Sequence, residues 1–472
     1  RQAILAARAS GMSPWWLDLE YHQRFLRPLS SLSLALDFRL FPDSAWPLHL
    51  ENAVLHAAIV LVVAALYRGL GLSPAHLGLA TFFFAMQAAQ SMTIGWISGR
   101  STMLATLFGL LAVQLHLTYL RTRRALYALA TPAALTLALA SAEAGIAAVS
   151  YMFAFSWVDG AVERAAPLTR STRLRTLIGA ALVAVLWQVI YRVGGYGVKR
   201  SGFYIDAASD PLRYLGNLLA AIPVYLGSQL TVPYAALSGF APNGVWWFAG
   251  LSVIILAGTR RLWLPLVRRD ARARALSIGA LLSVIPLGAS LPQDRLVSFI
   301  AFGVCGIVAA IVLERLAPDN RTLPRTGAVV LLLMHAVVAP VVFIPYLFGT
   351  MTMMLGGGAV VLAEALGDDP RPVLLVNAPS HLPVHFLGQQ RQWRKQAHLP
   401  IDLLYSGGET VALTRSSEQA LDLVVARGYF ASVFERGERD PNVSPLRVGD
   451  EIVLDRMHIR VLAARSGMPT RV

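Results

Sequence analysis

The chain has one cysteine, Cys305, set inside an apolar run. An intramolecular disulfide is therefore excluded, and the residue reads as a small core hydrophobe. Lysine is nearly absent: Lys199 and Lys395 are the two, and arginine carries the rest of the basic charge. That bias reads as a high-GC, bacterial composition. Charge as a whole is scarce, with 14% charged against 56% hydrophobic residues in 472. So little polar surface does not coat a soluble body of this length, which excludes the soluble class. There is no Walker loop, paired Cys-x-x-Cys or nucleophile elbow, so the nucleotide, redox and hydrolase readings those motifs carry drop out. The sequence opens on Arg1 with no signal-peptide pattern at its start, and is expected to begin inside a longer protein.

What is present is a series of long apolar segments joined by short loops with arginine on alternate sides. They cover residues 50–66, 77–97, 103–120, 125–139, 146–158, 177–190, 245–262, 275–289, 296–312 and 327–342, each near or below the ~20 residues that cross a bilayer. The arginines gather at 121–124, 164–175, 260–274 and 315–325. Cytoplasmic retention of positive loops explains this clustering, and the net charge of +14 without an aromatic-basic stripe gives no nucleic-acid face. The pattern predicts a multi-pass protein of the bacterial inner membrane. With the arginine loops inside, residues 1–47 fall outside, so a further helix is expected upstream of Arg1. The stretch 210–232 breaks the alternation if it crosses, and reads as an interfacial or re-entrant helix opened by Pro211.

Beyond about residue 367 the apolar pattern ends at Asp368-Asp369-Pro370. Runs at 373–376, 401–404, 411–414, 429–434, 451–454 and 458–462 have strand length and Gly, Pro or Ser between them, predicting a small β-sandwich or barrel. The expected organisation is an outer N-terminal segment (1–47), a transmembrane domain (48–366) and a β-rich, extracytoplasmic domain (367–472). The fold class is thus all-α polytopic membrane protein, with about ten transmembrane helices plus the upstream one, and a small C-terminal β-rich soluble domain. Asn320-Arg321-Thr322 and Asn442-Val443-Ser444 match glycosylation acceptors.

Three stretches speak to function. The first is Phe25-Leu26-Arg27-Pro28-Leu29-Ser30, followed by Leu36-Asp37-Phe38 and His49-Leu50-Glu51-Asn52-Ala53-Val54-Leu55-His56. The second is Ser98-Gly99-Arg100 leading into Leu104-Ala105-Thr106-Leu107-Phe108, and the third is Ser141-Ala142-Glu143-Ala144-Gly145-Ile146. In this order, over roughly residues 24–160, the chain resembles the transmembrane O-mannosyltransferases that carry tetratricopeptide repeats and their bacterial relatives, within the GT-C superfamily. The repeats themselves are absent, and Gln87, Gln90, Met92 and Thr102 stand where the family usually has histidines and acids.

The resemblance implies a GT-C-like fold whose outer loops grip a polyprenyl-phosphate sugar and an acceptor protein, lipid or glycan. The chemistry needs a carboxylate to take the acceptor's proton and positive charge for the leaving phosphate. The candidate acids are Asp18 and Glu20, in what remains of the first outer loop, with Glu143 and Asp294; the candidate contacts to donor are Arg27, Arg100, Arg295, His49 and Asn52. Each also has a structural reading. Asp18 and Asp294 suit helix caps, Glu143 suits a salt bridge to Arg100 or Arg295, and the His49–Asn52–His56 stripe suits polar contacts between helices. No metal ligands are assigned and no cofactor is certain, with a divalent cation, Mg or Mn, left open. Two other classes remain: a non-catalytic scaffold or lipid-linked-sugar binder presenting the β domain, and a transporter or flippase. The last predicts inverted internal repeats and polar residues near the bilayer midplane; the sequence shows neither a convincing repeat nor a broken helix pair, and Gln188 and His335 are the isolated polar instances.

Overall fold

The computed structural model describes residues 2–9, 13–163, 168–239, 243–317, 325–351, 357–367, 371–396 and 399–472. The chain is mostly helical, 64% helix and 9% strand. In chain order it runs through α1 (Gln2–Ala9), β1 (His22–Arg24), α2 (Pro28–Leu40), α3 (Trp46–Gly69), α4 (Pro74–Ala85) and α5 (Ala88–Gly95). Next come α6 (Arg100–Thr122), α7 (Ala125–Ser141), α8 (Ala148–Trp157), α9 (Arg170–Val193), β2 (Gly197–Lys199), α10 (Pro211–Ser228) and α11 (Gly244–Arg269). α12 (Ala271–Ser283), α13 (Ser298–Leu316), α14 (Thr326–Leu333), α15 (Ala339–Met351) and α16 (Gly357–Leu366) complete the long helical run.

Local chemistry sets many of these boundaries. Pro28, Pro74 and Pro211 occupy the first helical turn, where a missing N–H costs no helix bond. Ser73, Thr169, Asp210 and Asp270 cap their helices by accepting backbone N–H groups. Arg68, Arg121, Arg192, Arg268 and Arg315 lie in last turns, where the helix dipole favours a cation.

The chain divides into two compact units: residues 25–196 with 206–348, and residues 1–24, 197–205 and 349–472. This differs from the three consecutive regions expected, because residues 1–24 and 197–205 group with the C-terminal part.

Among the described residues of the helical unit, seven helices are long and apolar enough to cross a membrane, or eight if the bent pair α4 and α5 is one span. The expected ten included two segments that are shorter in the structure. Residues 125–139 lie in the 17-residue α7, and 146–158 divide between the 3-10 turn Glu143–Ala147 and the 10-residue α8. The stretch 210–232 forms α10, which buries Ala220, Ala221, Val224 and Tyr225 and exposes Leu212, Leu215 and Leu219. The most enclosed span is α13, 72% buried. Tyr67 and Tyr151 donate from α3 and α8 to its Phe302 and Phe299 carbonyls. A Cβ on Gly303 would come within 2.6 Å of the Leu276 carbonyl, so α12 and α13 touch backbone to backbone. By contrast α9 and α11 are 11% and 17% buried and turn Leu182, Leu186, Trp247 and Ile254 outward.

In the other unit β3 (Val373–Leu375) and β4 (Ile401–Leu403) pair in parallel across α17 (Leu382–Trp393). β5 (Val411–Arg415), β6 (Leu421–Val425), β9 (Ala463–Arg465) and β10 (Met468–Arg471) form a sheet in the order β5-β6-β10-β9. β7 (Glu451–Val453) pairs with β8 (His458–Arg460), and β1 pairs with β2. The expected sandwich or barrel is corrected to small separate sheets with a parallel crossover. The expected strand at 429–434 is instead a turn and the start of α18 (Val433–Glu438), where Ser432 and Glu435 form a capping box. Trp15 and Trp16 are buried in this unit's core with Tyr405, Tyr429 and Phe430. Asn320 and residues 368–370 lie outside the described residues.

Candidate functional site

Within the helical unit the candidate residues converge on one end, reached from the start of α3, α6 and α13 and from the ends of α5, α7 and α9. Arg27, just before α2, donates from Nε and Nη2 to Glu143 Oε2 at 2.9 and 2.6 Å. Tyr191 near the end of α9 donates to Glu143 Oε1 at 3.3 Å. The pair keeps access to solvent, with side chains 32% and 25% exposed. Arg27 also lies over the Phe25 ring at 4.1 Å. Beside it the rings of Trp187, Tyr191 and Tyr196 follow one another at 4.9 and 5.7 Å. Glu143 therefore has a cationic partner, and it is Arg27 rather than Arg100 or Arg295.

Arg100 behaves differently. It is fully buried and ion-paired with Asp37 from α2, and its Nη1 lies 2.8 Å from Glu51 Oε2. It donates further to Asn52 Oδ1, Ser33 Oγ and the Leu48 carbonyl. Asn52 in turn donates to the carbonyls of Ile94 and Trp96 at 3.1 and 3.0 Å. Two carboxylates and three further acceptors thus occupy the guanidinium, which makes Arg100 a clamp joining α2, α3 and α6. His49 is exposed, and His56 hydrogen-bonds to the Ala85 carbonyl at 3.0 Å.

The same end continues to Asp294 and Arg295. Arg295 sits 5.1 Å from the Trp96 ring centroid, and its carbonyl accepts from Thr93. Asp294 is 2% exposed and accepts the backbone N–H groups of Ala235 and Ala236 at 3.1 and 3.0 Å. Burial pushes its carboxyl up to about 6, while those N–H groups pull against the rise. Asp294 therefore pins the loop after α10.

Asp18 and Glu20 belong to the other unit, not to this end of the helices. Asp18 is buried, with Oδ1 accepting from the Glu20 N–H at 2.7 Å, and the exposed Glu20 ion-pairs with Arg200. Among the described residues no group of three His, Cys, Asp or Glu is arranged to hold a metal ion.

A second feature of the helical unit went unread in the sequence. Between α4 and α5 the helix bends by 51°, and α14 passes into α15 through a π-helical turn, Met334–Val338. Gln87, at the bend, donates to Gln229 Oε1 at 3.1 Å, and the His335 ring in the π turn is 3.0 Å from the Gln229 carbonyl. His335 is thus not isolated.

Comparison with family models, with curated proteins and with solved structures finds no match.

Proposed function

We propose that this chain is a multi-pass membrane glycosyltransferase of the GT-C kind. It would move a mannose-like hexose from a polyprenyl-phosphate donor to an acceptor at the end of the helical unit that carries Arg27 and Glu143. The membrane reading is supported by seven apolar helices of spanning length among the described residues and by the outward apolar faces of α9 and α11; the bacterial inner membrane is part of the proposal. Such faces on a soluble body would make apolar patches larger than monomers tolerate.

The observation that carries the catalytic reading is the Arg27–Glu143 pair. It joins residues of two motifs that resemble the family, it is half-buried yet reachable, and it lies beside an aromatic row suited to a sugar ring. A donor phosphate competes for the Arg27 guanidinium through charge-assisted hydrogen bonds. That releases Glu143, held by Tyr191, to accept the proton of an acceptor hydroxyl. The acceptor oxygen bonds to the anomeric carbon as the bond from that carbon to the phosphate oxygen breaks. The phosphate leaves with the electron pair, and Arg27 stabilises its charge. Arg100 holds α2, which follows Arg27, against α3.

The test is sugar transfer in membranes holding the full chain, using radiolabelled polyprenyl-phosphate mannose and glucose. Glu143→Gln is expected to lower transfer by roughly 10²-fold or more, the usual share of a general base, and Arg27→Ala to weaken donor use. Wild-type membranes that transfer neither sugar would overturn the reading.

The bent α4–α5 pair and the π turn at His335 favour transport as a second reading. Broken helices with buried polar side chains are the usual build of a midplane translocation site. Uptake or flipping of a lipid-linked sugar without transfer, abolished by His335→Ala, would select it.

A further inference from the structure

We infer that a cavity at the arginine-rich end of the helical unit binds the phosphate headgroup of an anionic phospholipid. The inference rests on the membrane reading above but not on catalysis. The cavity, about 270 Å³, opens between α6, α7 and α9. That is just under the roughly 300–1,000 Å³ of sites that engulf a whole small ligand, a size for a headgroup rather than an entire lipid. His116, Thr131 and Thr176 line it, yet their polar atoms already bond to Ser156, the Tyr127 carbonyl and the Arg173 carbonyl. Pro132, also in the wall, has no N–H to offer. The wall is therefore mostly closed to hydrogen-bonding ligands.

Arg175 is the exception. It lines the cavity, and among the described residues no carboxylate pairs with it, whereas Arg173 is taken by Asp159. Tyr119, on the opposite wall, carries the Arg123 guanidinium 5.7 Å from its ring. Arg121, Arg124 and Arg170 add positive charge at the same helix ends. An anion in the cavity meets the Arg175 guanidinium, with Arg123 adding charge beyond Tyr119, and the small residues Ala128, Gly179 and Ala180 leave room beneath. The exposed apolar side of α9 lets a lipid reach this opening from the bilayer without leaving it. Basic pockets between spanning helices recognise anionic headgroups in this way.

The experiment is native mass spectrometry of the full chain in neutral detergent, titrated in parallel with phosphatidylglycerol, phosphatidylcholine and inorganic phosphate. Phosphatidylglycerol is expected to bind saturably and ahead of phosphatidylcholine. Arg175→Gln should weaken it by about fivefold, the effect of one arginine near a charged lipid surface, and Ala128→Leu should weaken it by filling the cavity. Equal binding of the two lipids, or no change in Arg175→Gln, overturns the inference. Inorganic phosphate that competes as well as phosphatidylglycerol makes the ligand a free phosphate compound, and the lipid assignment falls. A chain that stays in solution without detergent instead defeats the membrane reading.

Discussion

Arg27 and Arg100 look alike in sequence, each in a motif at a helix start, and the structure separates them by what surrounds them. Arg27 has one carboxylate partner and a partly exposed side chain; Arg100 has two carboxylates, three further acceptors and no exposure. Arg100→Ala leaves Asp37 buried and unpaired, a change of roughly 3–5 kcal/mol. Thermal melting in detergent should show a large loss, partly recovered in Arg100→Met combined with Asp37→Leu; a normal melt would make Arg100 a ligand contact after all. Asp294 gives a pH signature. Its carboxyl is raised to about 6 when folded, so the folded state binds the proton more tightly than the unfolded one. Stability is therefore highest below the unfolded value and falls as pH rises toward about 6. Melting followed from pH 4 to 7 should show that fall in the wild type and lose it in Asp294→Asn.

At the scale of elements, α2 does the joining. Arg27 and Ser30 at its start hold Glu143 and the Ser141 carbonyl, and Ser33 and Asp37 further along hold Arg100. The motif residues at both ends were legible one by one. Their pairing was not, because 116 positions separate Arg27 from Glu143 and charge alone did not choose among three arginines. Helices announced themselves through apolar length and capping residues, and five of the six expected strand runs contain strands. β10 was hidden by Pro469, which argues against an interior strand and sits at a register irregularity between β6 and β9. The run at 429–434 read as strand because its aromatic and β-branched residues have strand composition. Ser432-x-x-Glu435 in the same run is the signature of a helix start. Ser432→Ala should destabilise that unit by about 1 kcal/mol, read as a lower melting temperature, whereas an unchanged melt would mean the box contributes nothing.

At the scale of the molecule, the helical unit is polarised. Glu143, Asp37, Glu51 and Asp294 gather at one end with Arg27, Arg100 and Arg295. The other end carries arginines that bind backbone carbonyls, as Arg272 does at Gly71 after α3 and Arg315 at Arg261 in α11. If the membrane reading holds, positive-inside retention turns the arginine end to the cytoplasm and the Arg27–Glu143 pair outward. The single cysteine makes this directly measurable, since Cys305 is fully buried and its replacement by alanine leaves a clean background. Asp43 lies exposed between α2 and α3, and Thr122 lies exposed at the end of α6. In intact cells a membrane-impermeant maleimide should label Asp43→Cys and spare Thr122→Cys until the membrane is opened. The reverse pattern would put the Arg27–Glu143 pair in the cytoplasm and remove the outer-face donor reading. Labelling of both in intact cells would mean that these helices do not separate two compartments.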